Sequence, residues 1–371
     1  MKNKTVWLLP LIAVILSAIS VILLYSLNAN EISRVVTARN WKVQLGASLI
    51  GAVGAAVILR HNCEKLAKRW YVYTVPLLVM TLLTFTPLGL KVDTADDKAW
   101  LNLGFTSLQP SELLKIAFIL SFSFHIAQLR AKNADMQSPK KILPLFAHAA
   151  VPLILVALQG DYGTALIFLI MFLVMFFTCG VSWKYIAAIC AAIPLFGTVM
   201  WNFIMNADQR ARLSVIFALE ENADGYGYQQ VLSRQAIAGG GITGQGLFGG
   251  KYSYVPEIQN DFILSYVSQT FGLLGLLAIL ILSVIFLIVL LKQAEKAKNI
   301  LSKTIYIGVF AMFTAHFFLN AGMVLGIMPV IGIPFPFLSS GGTACISMYG
   351  AVGAALSASR VADKKYSSRE N

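Results

Sequence analysis

Charge is what this sequence has least of. Asp, Glu, Lys and Arg together make up 12% of its 371 residues, whereas the set AVILMFWYC makes up 57%, and the mean hydropathy is +0.73. A soluble domain carries roughly 25% charged residues. Too little charge is available to coat a globule of this size, which excludes a soluble protein and makes lipid the solvent for most apolar side chains. Cysteine is scarce as well. Cys63, Cys179, Cys190 and Cys345 show no paired spacing, so they read as small apolar residues with no disulfide framework or metal site. The four histidines are dispersed along the chain. With no HExxH, CxxC or phosphate-binding glycine loop, zinc chemistry and ATP use have no sequence support. Acids are fewer than bases, giving a formal charge of +12. In a chain this apolar, that excess marks cytoplasmic loops and not a nucleic-acid partner.

What is present is a series of apolar runs. A span needs roughly 20 mostly apolar residues, and the sequence predicts an all-α membrane protein with ten of them, near 5–27, 41–59, 71–90, 111–129, 142–158, 162–179, 183–203, 261–291, 303–323 and 341–359. The first follows a short basic lead, lacks a cleavage site and reads as retained. The 261–291 run exceeds one membrane thickness, which suggests tilt or extension into solvent. With both termini cytoplasmic, nineteen basic residues fall on inside segments and nine on outside ones, the alternation that the positive-inside rule requires. Asp93, Asp96, Asp97, Asp208, Glu220, Glu221, Asp224 and Glu257 all fall outside. Residues 1–371 read as a single polytopic unit whose large outer loop, about 204–260, folds over the outer mouth of the bundle.

Several polar residues stand where lipid should forbid them. Glu112 and Lys115, three apart at the start of a span, are either an ion pair that locks helix packing or the wall of a cavity that takes an anionic group. Asp161, in Gln159-Gly160-Asp161-Tyr162-Gly163-Thr164, opens the sixth span as a cap or as a functional acid. Asp261 sits where the outer loop meets the eighth span. An N-cap role is open to it, but its company points further. Arg210, Arg212, Gln229, Gln230, Ser233 and Arg234 precede it, as does the run Gly239-Gly240-Gly241-Ile242-Thr243-Gly244-Gln245-Gly246. Arginines can take phosphate through paired hydrogen bonds, and glycine lets a backbone approach a ligand. Finally, Gly332-Ile333-Pro334-Phe335-Pro336-Phe337-Leu338-Ser339-Ser340-Gly341-Gly342-Thr343 cannot be regular helix. At membrane depth it reads as a re-entrant loop lining a site.

Trp100-Leu101-Asn102-Leu103-Gly104, Gln109-Pro110-Ser111-Glu112 with Lys115, Gln159 to Thr164, Pro256-Glu257 with Asp261-Phe262-Ile263, and Gly332 to Gly342 occur in an order that resembles the SEDS family (shape, elongation, division and sporulation), which includes RodA and FtsW, with RodA the nearer of the two. The likeness covers about residues 40 to 355. It implies a peptidoglycan glycosyltransferase of the bacterial cytoplasmic membrane that polymerises the undecaprenyl-pyrophosphate-linked precursor lipid II at the outer face, in elongation, division or shape control. The usual partner is a class B penicillin-binding protein, a transpeptidase, within the elongation or division machinery. The family's loop aspartate maps onto Asp261. Departures are Ala99 where the family has Arg, Gly160 where it favours Pro, Ser340 where it has Tyr, and Gln269-Thr270 where it often has Glu-Glu.

Chemistry suits these residues. Glycosyl transfer from a lipid pyrophosphate needs a base for the attacking hydroxyl and positive charge for the leaving group. Asp261 is the expected base, or an acid that positions a divalent cation, Mg or Mn. Arg210, Arg212 and Lys115 would face the pyrophosphate, and Glu112 would orient Lys115 or Arg212. Trp100 would pack on sugar or lipid. Gln109, Asp161, Gln229, Ser233, Glu257, Ser339 and Gly341 complete the expected substrate-binding set. Buried ions and broken helices also suit a lipid-linked precursor flippase or transporter, and the departures leave room for a catalytically silent scaffold of a cell-wall synthase.

Overall fold

The computed structural model describes residues 4–32, 36–90, 98–104, 106–132, 136–178 and 180–360. Lys2, Arg34, Lys91, Asp93, Asp96, Asp97, Cys179, Lys364, Lys365 and Arg369 lie outside the described residues, as do the side chains of Cys190 and Asp208. Helices run in the order α1 (Leu8–Ala29), α2 (Ala38–Arg60), α3 (Cys63–Lys68), α4 (Tyr71–Leu83), α5 (Pro110–Ala131), α6 (Pro139–Leu158), α7 (Tyr162–Phe177), α8 (Trp183–Val199), α9 (Ala207–Ser214), α10 (Tyr228–Gly239), α11 (Ile263–Glu295), α12 (Ile300–Val324) and α13 (Gly342–Ala358). Each of the ten sequence-predicted spans corresponds to one apolar helix; only α3, α9 and α10 are extra. Six are long and apolar enough to cross a membrane, whereas α4, α7 and α13 are shorter apolar helices. α8 carries on through the π-helical turn Met200–Ile204.

α12 lies at the centre, packed against α5, α7, α11 and α13, and α13 packs most extensively on α2. α2 and α6 present most of their surface outward, where the apolar residues Leu49, Ile50, Val53, Leu143 and Ile154 face lipid. Two elements depart from the sequence expectation. The third span stops at Leu83 and not near residue 90, because Thr84 to Pro87 turn the chain and Gly89 bonds back to Thr86. The chain then forms β1 (Gly89–Leu90), which pairs with β2 (Trp100–Asn102), itself paired with β3 (Ser107–Leu108), a small antiparallel sheet on the outer side. Such two- and three-residue strands leave no alternation for sequence periodicity to register.

α11 is long because it is two pieces. At about 1.5 Å per residue its 33 residues would measure about 50 Å, against a hydrocarbon core of about 30 Å. The ladder breaks at Gly272, with φ 67° and ψ −166°, a region essentially restricted to glycine. The freed backbone groups are taken by the glycine run of the outer loop. Gln245 and Gly246 donate to the carbonyls of Gln269 and Thr270 at 2.8 and 3.0 Å, while Leu273 and Leu274 donate to those of Gly241 and Ile242 at 2.9 and 3.2 Å. The two backbones are so close that a Cβ at Gly244 would collide with the Thr270 carbonyl. This corrects the reading of that glycine run as a ligand cradle: its close approach is to α11.

Gly272→Ala therefore meets both a forbidden dihedral and the Ile242 carbonyl. It should cost at least the 1–3 kcal/mol typical of such backbone strain, to order of magnitude, read as a lowered thermal midpoint in detergent. Gly54→Ala, in the open groove of α2, should leave the midpoint unchanged.

Candidate active site

Of the irregular segment between α12 and α13, the part from Ile333 to Ser339 is largely buried, with Ile333, Phe335, Phe337 and Leu338 all at 1% exposure or less. Its polar backbone must then be satisfied from within the protein, and several neighbouring elements contribute. Ser339 Oγ accepts from Phe335 N at 2.8 Å and donates to the Asn260 carbonyl at 2.6 Å. Ser340 N donates to the Gln259 carbonyl at 2.9 Å. Ser20 of α1 donates to the Leu338 carbonyl at 2.5 Å. Gln44 of α2 accepts from Gly341 N at 3.2 Å and donates to the Phe337 carbonyl at 3.4 Å. Phe337, held at a φ of 63°, is wedged between Phe313 and Tyr349, ring centroids 5.5 and 5.1 Å away.

This segment and the turn 257–261 together place Asp261. The turn folds because Glu257 adopts a φ of 55° and accepts at its carbonyl from Asn260 N at 2.9 Å. Phe262, and not Asp261, occupies the N-cap position of α11, without a side-chain cap bond. No hydrogen bond or ion pair reaches the Asp261 carboxylate among the described residues. Within 4 Å of a Cβ built at Gly332, only Asp261 Oδ2 appears, at 3.9 Å, so the carboxylate stands beside open space at the foot of the buried segment. Its carboxyl is pushed up to about 7, chiefly by desolvation and secondarily by the Glu257 carboxylate. A half-buried acid that titrates near neutrality can exchange protons at physiological pH.

The other expected residues divide. Asp161 caps α7, accepting from Thr164 N at 2.9 Å, and its second oxygen accepts from Gln109 Nε2 at 2.8 Å. This joins the starts of α5 and α7. The next residue but one, Gly163, abuts the Ile331 carbonyl, so this joint borders the Asp261 mouth. Gly160 has a φ of 84°, which proline cannot adopt; the departure from Gln-Pro-Asp thus changes the turn itself. Ser339 and Gly341 hold the buried segment as described. Glu257 Oε2 accepts from Asn260 and Gln259 at 2.7 and 3.2 Å. Trp100 is half-buried in β2 and Gln229 half-buried in α10.

The remaining expected residues have contacts of their own. Arg210 donates to the Met205 carbonyl at 3.1 Å, and Arg212 lies over the Tyr226 ring at 5.9 Å. Ser233 is fully buried, its hydroxyl bonded to Ser265 Oγ and the Val324 carbonyl, both at 2.7 Å. As a substrate contact it is ruled out, because it has no exposed surface; it fastens α10 to α11 and α12. Glu112 and Lys115 form a 2.8 Å ion pair, at 2% and 0% exposure. Lys115 Nζ also lies 2.9 Å from His316 Nε2, a partner that the sequence reading missed because one histidine on an apolar helix carries no spacing signal. The locking role is therefore the one realised.

No group of three or more His, Cys, Asp or Glu able to hold a metal occurs among the described residues. Asp261 and Glu257 fit only the sparse mode of Mg, in which one or two carboxylates are completed by substrate phosphate oxygens. Two of the dispersed histidines do meet. His125 and His148 stack with Nδ1 atoms 3.2 Å apart, lining a lateral cavity of about 510 Å³ between α4, α5 and α6 that does not include Asp261.

The ion pair gives a test. Lys115→Met would strand a buried carboxylate whose Oε2 already has no partner among the described residues, and should destabilise by about 3–5 kcal/mol. The double variant Glu112→Gln/Lys115→Met should recover much of that loss in the detergent melting midpoint.

Comparison with known proteins follows this geometry. Residues 6–364 match the model of the family described as cell cycle protein, that of FtsW, RodA and SpoVE. The chain is 28% identical to "Peptidoglycan glycosyltransferase MrdB" of Escherichia coli K12 over 366 residues, covering 96% of this chain and 95% of that protein. It is 29% identical to "Probable peptidoglycan glycosyltransferase FtsW" of Trichlorobacter lovleyi over 363 residues, 95% and 92% of the two chains. Among solved structures, a chain from work on "Structural coordination of polymerization and crosslinking by a peptidoglycan synthase complex" superposes with a TM-score of 0.77 at 22% identity, covering 94% of this chain and 96% of that one. The Thermus thermophilus rod shape determining protein RodA gives 0.67 at 21% identity, over 94% and 95%. The multi-pass helical fold and the near full-length match agree, and the chain belongs to the FtsW/RodA/SpoVE family.

Proposed function

We propose that this chain is a peptidoglycan glycosyltransferase that polymerises lipid II into glycan strands at the outer face of the bacterial cytoplasmic membrane. The observation that carries the reading is Asp261, a half-buried carboxylate with no hydrogen-bond or ion-pair partner among the described residues, beside open space at the junction of the outer loop and the irregular 332–341 segment. Supporting it are the family and the activity named for relatives that match nearly end to end. The whole chain acts as one membrane unit, with residues of about 204–260 as its outer cover.

In the reaction, a sugar hydroxyl of one lipid-linked disaccharide attacks the anomeric carbon of another. A C–O bond forms, the bond to the pyrophosphate breaks, and Asp261 takes the hydroxyl proton. Such base catalysis contributes typically about 10²- to 10⁴-fold. Asp261 and pyrophosphate oxygens would hold any divalent cation, which would supply positive charge to the leaving group. Asp161 and Gln109, which border the same mouth, are assigned to the disaccharide. Arg210 and Arg212, on the loop, are assigned to the incoming pyrophosphate. A class B penicillin-binding protein, the proposed partner, would crosslink the product.

Purified with its transpeptidase and given labelled lipid II, the wild-type chain should make polymer, and Asp261→Asn should lose activity on the order of 10²-fold or more. Equal polymer from both would remove Asp261 from the mechanism; none from either, with the complex intact, would favour the scaffold reading.

The pH dependence has a definite sign. A base works ionised, so the rate should fall as pH drops through about 7. Glu257→Gln removes a carboxylate that raises the Asp261 value, so the acid limb should move to lower pH. A limb that stays fixed would show that another group sets it.

A further inference from the structure

α12 crosses the centre of the bundle as an apolar helix, yet carries His316 and Asn320, four residues apart on one face, each at 0% exposure. Both reach the start of the irregular segment, at Ile333 and Pro334. His316 Nδ1 is 3.1 Å from the Pro334 carbonyl and Nε2 is 2.9 Å from Lys115 Nζ. An ammonium can only donate, so Nε2 accepts, the ring proton sits on Nδ1, and that N–H donates to Pro334. Asn320 Nδ2 donates to the Ile333 carbonyl at 2.7 Å and to the Asp261 carbonyl at 2.8 Å. The amide orientation follows, since the reverse would set Oδ1 against two carbonyls. Two adjacent side chains thus grip consecutive carbonyls, Ile333 and Pro334. From there one extends to the Glu112–Lys115 ion pair and the other to the backbone of Asp261.

We propose that His316 and Asn320 are positioning residues, which hold Asp261 and the 332–334 backbone in one geometry against the Glu112–Lys115 pair. The proposal rests on the reading of Asp261 as the base. Neither side chain touches substrate. Their effect is to keep the carboxylate registered on an irregular backbone that has no helical ladder of its own. Because Asn320 supplies both donors, Asn320→Leu deprives both carbonyls and Asn320→Asp sets an acceptor against them. For His316, glutamine offers an acceptor for Lys115 and an N–H for Pro334, which leucine does not.

The experiment uses the full chain with its transpeptidase and labelled lipid II, and adds amide hydrogen exchange in detergent. Asn320→Leu and Asn320→Asp should lower kcat on the order of 100-fold, the scale of an ångström-level misplacement, with KM within about twofold. His316→Leu should lower kcat about tenfold and His316→Gln should restore most of it. In Asn320→Leu, exchange should rise in peptides spanning 257–263 and 335–341 and stay unchanged in α2 and α13. Unchanged exchange and kcat in Asn320→Leu, with Asp261→Asn inactive, would overturn the positioning proposal alone. So would losses in all four variants that simply follow lowered melting midpoints, with His316→Gln no better than His316→Leu. A wild-type rate in Asp261→Asn would instead overturn the reading of the base, whatever the exchange shows.

Discussion

An unpaired backbone carbonyl inside a low-dielectric bundle costs several kcal/mol, and the stretch from Ile333 to Ser339 has no helical ladder to pair its own. Everything near the outer mouth is arranged around that requirement. Ser20 comes from α1, Gln44 from α2, His316 and Asn320 from α12, and Ser339 from within the stretch itself. These side chains satisfy a backbone that has prolines at 334 and 336 and so cannot form a helix. The same bonds fix the turn that carries Asp261, through Asn260 and the Asp261 carbonyl. A carboxylate desolvated in this way opposes folding once ionised, and the surrounding bonds hold it in place regardless.

Much of the architecture was legible in the sequence because the bilayer imposes a length and charge rule on every span. Ten apolar runs became ten apolar helices, and the Pro-Gly cluster at 332–342 is irregular and buried as its composition required. The site was readable where chemistry is local: Asp161 next to a helix start, Glu112 three residues from Lys115. It was not readable where two distant segments complete each other. The glycine run at 239–246 read as a backbone open to a ligand because its partner, the broken ladder at Gly272, lies further along the chain and has no separate signature. His316 and Asn320 were invisible for the same reason, as isolated polar residues on an apolar helix. Ser233 looked available to a ligand because burial cannot be seen in a loop sequence.

The departures from the family pattern also acquire physical meaning. Gly160 occupies a dihedral closed to proline, so its turn is built differently. Gln269 binds the backbone of Ser253 through both ends of its amide, at 2.6 and 3.2 Å, and thereby stitches the loop to α11 as a neutral side chain. Neither change touches the Asp261 carboxylate. A third departure, Ser340, lies in the segment beside Asp261 and bonds the Gln259 carbonyl through its backbone N–H.

The break at Gly272 divides α11 into a short outer piece, tied to α10 by the Ser233–Ser265 bond and by Ser268 to the Ile237 carbonyl, and a lipid-exposed run to Glu295. Lipid acts on the second piece. When bilayer thickness changes, a span responds by tilting, and an unbroken helix would carry that rotation to its end. Here the ladder is interrupted at Gly272 and both sides of the break are tied to the glycine run of the outer loop, and Asp261 lies just before the piece anchored in protein. Asp261 is thus seated on protein contacts, apart from the lipid-facing run of α11.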